Sequence, residues 1–289
     1  MPITLRRLGD GTLRVGRRAC GMSAPKLTGG PVPDTLVAEL RAAGCVYAED
    51  EAAMLRAAAS RGAVLDELVT RRVAGEPLEQ LVGWVDFGGL ELSVGPGVFV
   101  PRQRSLLLAR AAVRATRSRR EPVVLELYAG VAPIAATVAR RVPGAKVHAA
   151  ERDPASLAHA RHNLPTGAGV HLSNRFGGVP MDLRGRVDLL VAVPPYVPDS
   201  ELDLLPREAR DYEPTSALTA GPDGLDEHRA LLDGGVDWLR PGGLLLAELH
   251  RAQAPAAVAR ARGLGYAARA RFAGDGQTAL IAAVVPEGT

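Results

Sequence analysis

Residues 189–198 read "LLVAVPPYVP": an apolar run, preceded by Asp188, that stops at two prolines and a tyrosine. Proline lacks the N–H that a central strand needs, so the strand must end where the prolines begin. In open α/β sheets, ligands bind at the carboxyl ends of the strands. Val193, Pro194, Pro195 and Tyr196 are therefore the first candidate site residues.

Outward from this stretch, the chain beyond residue 122 alternates strand and helix patterns. The strand segments are "PVVLELY", "KVHAAE", "VHLS", "VDLLVAV" and "GGLLLAEL". Such alternation predicts an α/β fold, a mostly parallel sheet with helices on both faces. The last segment, "GYAARARFAGDGQTALIAAVV", reads as strand, Gly-Asp-Gly turn and strand, which predicts an antiparallel hairpin at the sheet edge.

Two further pieces belong to the carboxyl edge of that sheet. "VVLELYAGVAPIAATVA" (123–139) is a strand running into a turn and a helix, with Glu126 near the strand end and Tyr128, Ala129, Gly130, Val131 and Ala132 in the turn. A glycine there lets backbone approach a ligand, and a helix N-terminus offers free N–H groups. The next strand ends in Glu151, about 20 residues on, where an acid can accept hydrogen bonds from ribose hydroxyls. Glu151 also reads as a helix-entry charge ahead of "DPAS"; the intact strand–turn–helix–strand–acid order favours ribose. The third strand ends in Asn174 and Arg175, and Asn174 reads equally as a base-facing amide or an Asx-turn.

Residues 1–33, rich in Gly, Pro and Arg, read as a poorly ordered tail. Residues 34–78 carry three helical patterns and read as a small helical domain. A β-hairpin connector is expected over 79–101 and the α/β domain over 102–289. Cys20 and Cys45 are too few for a disulfide framework or a zinc site, and His159 and His162 have no spaced acidic or Cys partner, so no metal is expected. No apolar run approaches the roughly 20 residues needed to span a bilayer, and the opening residues lack a signal-type apolar region, so a cytoplasmic protein without a membrane partner is expected. A formal charge of +3, with basic clusters such as "RATRSRR", fits a solvated helix face better than nucleic-acid binding.

With these pieces in order, the chain resembles the HemK/PrmC-type protein-(glutamine-N5) methyltransferases, which modify peptide chain release factors. The resemblance rests on "GEPLEQLVGWVDFGGLELSVGPGVFVPRQRS" (75–105), the turn at 128–132, "VPPY" (193–196) and "EPTSALTAGPDGLDEHRALL" (213–232). The stretches "PRQRS" and "YVPDSELDLLPREARDYEP" are closer to a side branch of unknown substrate. The resemblance implies a Rossmann-like class I fold and S-adenosyl-L-methionine as cofactor, held by Glu126, Tyr128, Ala129, Gly130, Val131, Ala132, Glu151, Asn174 and Arg175. It also implies Val193, Pro194, Pro195 and Tyr196 as the catalytic loop, and a release-factor-like Gly-Gly-Gln loop as protein substrate, recognised by the helical domain.

Three departures from the family pattern matter. The family's N-P-P-Y uses the Asn side chain and a proline carbonyl to hold the substrate amide; here that Asn is Val193, which has neither donor nor acceptor. Tyr128 and Ala132 stand where the family has glycines, and Asn174 replaces the usual acid. Losing one positioned polar contact typically costs about 10²–10³ in rate. The alternative is therefore a degenerate or repurposed descendant, either a binding protein or an enzyme acting on a small molecule. A base methyltransferase sharing the Pro-Pro-Tyr loop would need a recognition domain and stacking platform that this sequence lacks.

Overall fold

The computed structural model describes residues 34–287; the tail expected over 1–33 lies outside the described residues. Four helices come first: α1 (Thr35–Ala42), α2 (Ala48–Ser60), α3 (Leu65–Val73) and α4 (Leu78–Val82). Glu49, Asp50 and Glu51 fill the first turn of α2, which suits the helix dipole. Leu40, Ala48, Ala52, Leu55, Leu68 and Leu81 bury one another in a cluster of their own. Helix α4 is a single turn between Pro77 and the left-handed Gly83. It is too short to show a 3.6-residue period, so the sequence pattern absorbs it into the connector. The connector's hairpin is β1 (Trp84–Asp86) with β2 (Glu91–Ser93), paired antiparallel.

The remaining elements are α5 (Leu106–Thr116), β3 (Val123–Leu127), α6 (Pro133–Arg141), β4 (Lys146–Glu151), α7 (Pro154–Asn163), β5 (Gly169–Leu172), β6 (Val187–Ala192), α8 (Arg207–Tyr212), α9 (Asp226–Trp238), β7 (Leu239–His250), α10 (Ala254–Gly263), β8 (Ala267–Phe272) and β9 (Thr278–Val284). The seven-stranded sheet has the order β5-β4-β3-β6-β7-β9-β8. The five strands from β5 to β7 are parallel, and β9 inserts antiparallel between β7 and β8. Strands β3 and β6 lie centrally, and their alternate residues enter two different cores. Val124, Leu189 and Val191 pack with α5, α6 and α7 residues such as Leu108 and Ile134. Leu125, Leu127 and Leu190 pack with Leu231 and Leu232 of α9 and Ala257 and Ala261 of α10. Each fully buried Leu contributes about 1.5–3 kcal/mol, which is how a chain with only 4% aromatic residues builds its core.

The order of the sheet reverses between β3 and β6, because β4 and β5 lie to one side of β3 and β6 and β7 to the other. This is the switch point at whose carboxyl edge a crevice opens. A long excursion, 193–225, rises from the end of β6 over that edge and is fastened at several points. Val197 N–H donates to the Leu218 carbonyl, and Gln253 Nε2 donates to the Tyr196 carbonyl at 2.8 Å. Arg72 of α3 bridges Glu51 of α2 and Glu208 of α8 at 2.6 and 2.5 Å. Tyr212 Oη donates to the Ala74 carbonyl, and Gln80 Nε2 donates to the carbonyls of Val98 and Tyr212. The excursion is thus tied to the helices of the N-terminal region as well as to the sheet.

Gly224 sits where this excursion meets the Tyr196 loop. Its φ is +69°, and an added Cβ would lie 2.2 Å from the Tyr196 carbonyl oxygen. Both the left-handed backbone and the backbone clash oppose any side chain there. We expect Gly224→Ala to destabilise the fold by at least about 1 kcal/mol, seen as a melting temperature lower by about 2–4 °C or more. An unchanged melting temperature would contradict the close approach.

Candidate functional site

Strand β3 ends in a buried carboxylate. Glu126 is only 2% exposed. Its two oxygens accept the N–H groups of Ile134 (3.2 Å) and Ala135 (2.6 Å), the first free donors of α6. This is a side-chain cap supplied from outside the helix, and it satisfies donors that would otherwise be orphaned. Burial pushes the Glu126 pKa up to about 8, against the pull of the two N–H groups. Glu126 therefore stands behind the turn, holding it, and does not line the cavity that the turn borders.

The turn itself is left-handed at three residues: Tyr128 (φ 52°), Gly130 (φ 52°) and Ala132 (φ 62°). For Tyr128 and Ala132 this costs about 1–2 kcal/mol each. Ala129, Val131 and Ala132 are buried. Gly130 is the point of open access, since an added Cβ would meet nothing within 4 Å. Tyr128 turns its hydroxyl onto Glu227 of α9 (2.7 Å), and Glu227 also takes both guanidinium contacts of Arg175 at 2.8 Å. Burial, then the Glu227 carboxylate, raise the Tyr128 pKa far above its ordinary value.

Strand β4 ends in Glu151. Its Oε2 accepts the Gly130 N–H at 2.9 Å, and its Oε1 accepts the N–H groups of Arg152 and Asp153 at 2.7 and 3.0 Å. One carboxylate thus locks the ends of two neighbouring strands together. A carboxylate has about four acceptor positions, so one remains for a ligand hydroxyl. Asp153 supplies the helix-entry charge of α7, capping the Ala155 and Ser156 N–H groups. That role belongs to Asp153 rather than to Glu151.

A cavity of about 270 Å³ opens between these strand ends and the excursion. Tyr128, Gly130, Glu151 and all of Val193, Pro194, Pro195 and Tyr196 line it, roofed by Leu205, Pro206 and Ala209. Asn174 and Arg175 are not in its wall: Asn174 is exposed, and Arg175 is committed to Glu227. His159 bonds Ser93 at 2.8 Å, and no cluster of metal-binding side chains occurs among the described residues. No helix among them is long and apolar enough to cross a membrane.

Among the cavity residues that escape the sequence reading are Glu248, Arg104 and Arg102. Glu248, near the end of β7, is fully buried, with Oε1 3.4 Å from Tyr196 Oη and 3.5 Å from Arg104 Nε. Arg104 also lies over the Tyr196 ring, 5.9 Å from its centroid. Arg102 pairs with Glu213, which accepts the Val100 N–H as well. Burial, then Glu248, push the Tyr196 pKa up to about 12. A sequence signal for Glu248 did exist: it is the one acid inside the apolar run "GGLLLAEL", as Glu126 is in "VVLELY".

No protein-family model matches the chain. Among solved structures, a methyltransferase from Pyrococcus furiosus aligns with 69% of this chain and 90% of its own, at a TM-score of 0.50 and 20% identity. Together with the strand order, this gives the fold: that of the class I S-adenosylmethionine-dependent methyltransferases. The release factor glutamine methyltransferase of Moorella thermoacetica is 37% identical over 201 residues, covering 69% of this chain and 71% of the relative. The chain belongs to the release factor glutamine methyltransferase family. That of Streptomyces coelicolor is 41% identical over 186 residues, or 63% of this chain. The chain spans just under two thirds of that relative, 66% of its length. A 4-amino-L-phenylalanine/4-methylamino-L-phenylalanine methyltransferase from Streptomyces pristinaespiralis is 37% identical over 186 residues, 62% of this chain and 63% of the relative.

The residues present fit the family's cofactor: the wall has an open glycine at Gly130 and a carboxylate, Glu151, at the end of the second strand. Tyr128, although it replaces a glycine, has its hydroxyl secured to α9.

The pH dependence of stability should carry the mark of Glu126. Its folded pKa, about 8, lies above its ordinary 4.5, so its contribution is greatest below 4.5 and is lost as pH rises towards 8. Urea midpoints at pH 5 and pH 8 should therefore differ less in Glu126→Gln than in the wild type. An identical difference would contradict a buried, proton-favouring Glu126.

Proposed function

We propose that the protein is an S-adenosylmethionine-dependent N-methyltransferase whose acceptor is the side-chain amide of a glutamine in a release-factor-like Gly-Gly-Gln loop. One observation carries the reading: a single cavity gathers the cofactor turn, the second-strand carboxylate and the Pro-Pro-Tyr loop. When bound, the cofactor supplies an electrophilic methyl group. Glu151 would accept a hydrogen bond from a ribose hydroxyl at its remaining acceptor position, and the Gly130 backbone would lie against the cofactor.

Tyr196 stacks on the planar amide, and the rigid prolines set the slot in which that amide lies. An amide nitrogen is a poor nucleophile because its lone pair is delocalised, so orientation has to supply much of the rate. The helical region 34–78 has two roles in this reading. It recognises the protein substrate, and through Arg72 and Ala74 it steadies the roof formed by 193–225, which Gln80 of the connector also holds.

Val193 favours a second reading, in which the acceptor is the amino group of a small aromatic molecule. An aromatic amine needs less of the amide clamp that Val193 lacks. The amine-methylating relative from Streptomyces pristinaespiralis lends this reading support.

Calorimetry with S-adenosylhomocysteine and transfer assays on a Gly-Gly-Gln peptide test the proposal. Charge-assisted hydrogen bonds of roughly 1.5–3 kcal/mol imply that Glu151→Ala weakens binding by about tenfold or more. The wild type should methylate the peptide at its glutamine. Undiminished binding by Glu151→Ala would mean that the nucleotide site is elsewhere; transfer to 4-aminophenylalanine alone would favour the second reading.

A further inference from the structure

Among the described residues, two buried side-chain polar atoms have no hydrogen-bond partner, His228 Nδ1 and Glu248 Oε2. They belong to one assembly. The Glu248 carbonyl can only accept, so the His228 Nε2 that lies 2.8 Å away carries a proton, and Nδ1 is left bare. Burial lowers the His228 pKa to about 4, which keeps the ring neutral. His228 thereby holds the backbone at Glu248, while the Glu248 side chain reaches the cavity wall.

The sheet register tells where that side chain lies. Ala192 of β6 and Ala247 of β7 are partners in a parallel pair. Continuing by one residue sets Val193 beside Glu248, and neighbours in parallel strands share a face. Glu248 thus stands next to the position at which the family's catalytic loop has its Asn. An orphaned buried oxygen is expensive, about 1–3 kcal/mol and more for a charged group, so its retention on a residue that borders the cavity needs a reason.

We propose that Glu248 is a catalytic residue, its Oε2 accepting the N–H of the methyl acceptor in the place left by Val193. The inference rests on the N-methyltransferase reading above. In the transfer, the acceptor nitrogen gives its lone pair to the new N–C bond and must shed one proton. The electron pair of the broken S–C bond stays on sulfur, and the proton passes from nitrogen to Glu248 Oε2. Tyr196 and Arg104 meet the other oxygen, Oε1, and hold the carboxylate in position. Burial raises the Glu248 pKa, while the Ser105 hydroxyl, close by but outside hydrogen-bond geometry, and then Arg104 and Tyr196 oppose the shift. A carboxylate made more basic is a better proton acceptor. The polar groups facing it are Ser105 and Arg104 ahead of α5, Tyr196 on the loop and His228 on α9; β9 presents Leu280.

The test compares Glu248→Gln with wild type, its fold checked by melting. Turnover of the Gly-Gly-Gln peptide should fall about 10²-fold or more, while affinity for S-adenosylhomocysteine stays unchanged. Without turnover, calorimetry of the peptide on the S-adenosylhomocysteine-loaded protein should show about tenfold weaker binding. The wild-type rate should fall as pH drops through the raised Glu248 pKa, and Glu248→Gln should lose this acid limb. Adding Val193→Asn to Glu248→Gln should recover part of the peptide affinity. Wild-type turnover and peptide affinity in Glu248→Gln would reduce Glu248 to packing and overturn the inference alone. A wild type that binds S-adenosylhomocysteine but methylates no peptide would overturn the glutamine reading and the inference with it.

Discussion

Two neighbouring strands of this sheet end in carboxylates, and both spend their oxygens on backbone N–H groups. Glu126 caps the start of α6, and Glu151 joins Gly130 to the start of α7. Hydrogen bonds of this kind contribute about 0.5–1.5 kcal/mol each, and more where the acceptor is charged. Without them, the first donors of α6 would be unpaired, and the turn between β3 and α6 would lose contacts that fix its path.

The same constraint explains how residues other than glycine survive in the turn. Tyr128 and Ala132 are left-handed at a cost of about 1–2 kcal/mol each. Their surroundings over-determine them: Ala132 N–H reaches the Ala129 carbonyl at 2.7 Å, and the Tyr128 hydroxyl is bound by Glu227. Strain of this kind persists where neighbours enforce it, and it gathers at functional sites. Tyr128 links the turn to α9 and, through Glu227, to Arg175. Arg175, expected at the cofactor, is held by that link instead.

Much of the fold could be read directly. The strand expected over "KVHAAE" is β4 itself, and the terminal hairpin forms with its Gly-Asp-Gly turn between β8 and β9. Short apolar runs bounded by turn residues mark buried strands by their length and their flanking Gly and Pro rather than by period. Helices α4 and α8 were illegible because five or six residues cannot display an amphipathic stripe. In the site, local order along the chain exposed the Gly130 turn, Glu151 and the Pro-Pro-Tyr loop. Glu227, Glu213 and Glu248 meet their partners from far along the chain, as Tyr196 and Glu248 do across 52 positions. No local pattern encodes such a meeting; only the sheet order and register bring it about.

The central claim is that one cavity holds both the nucleotide and the acceptor slot. A crystal structure of the protein with S-adenosylhomocysteine tests it most directly. The account predicts a ribose hydroxyl on Glu151, the adenosine against Gly130, the sulfur facing Val193–Tyr196, and the Tyr128–Glu227 hydrogen bond intact. Nucleotide bound away from Glu151, or a Tyr128 ring that occupies the site and leaves it empty at saturating ligand, would contradict it.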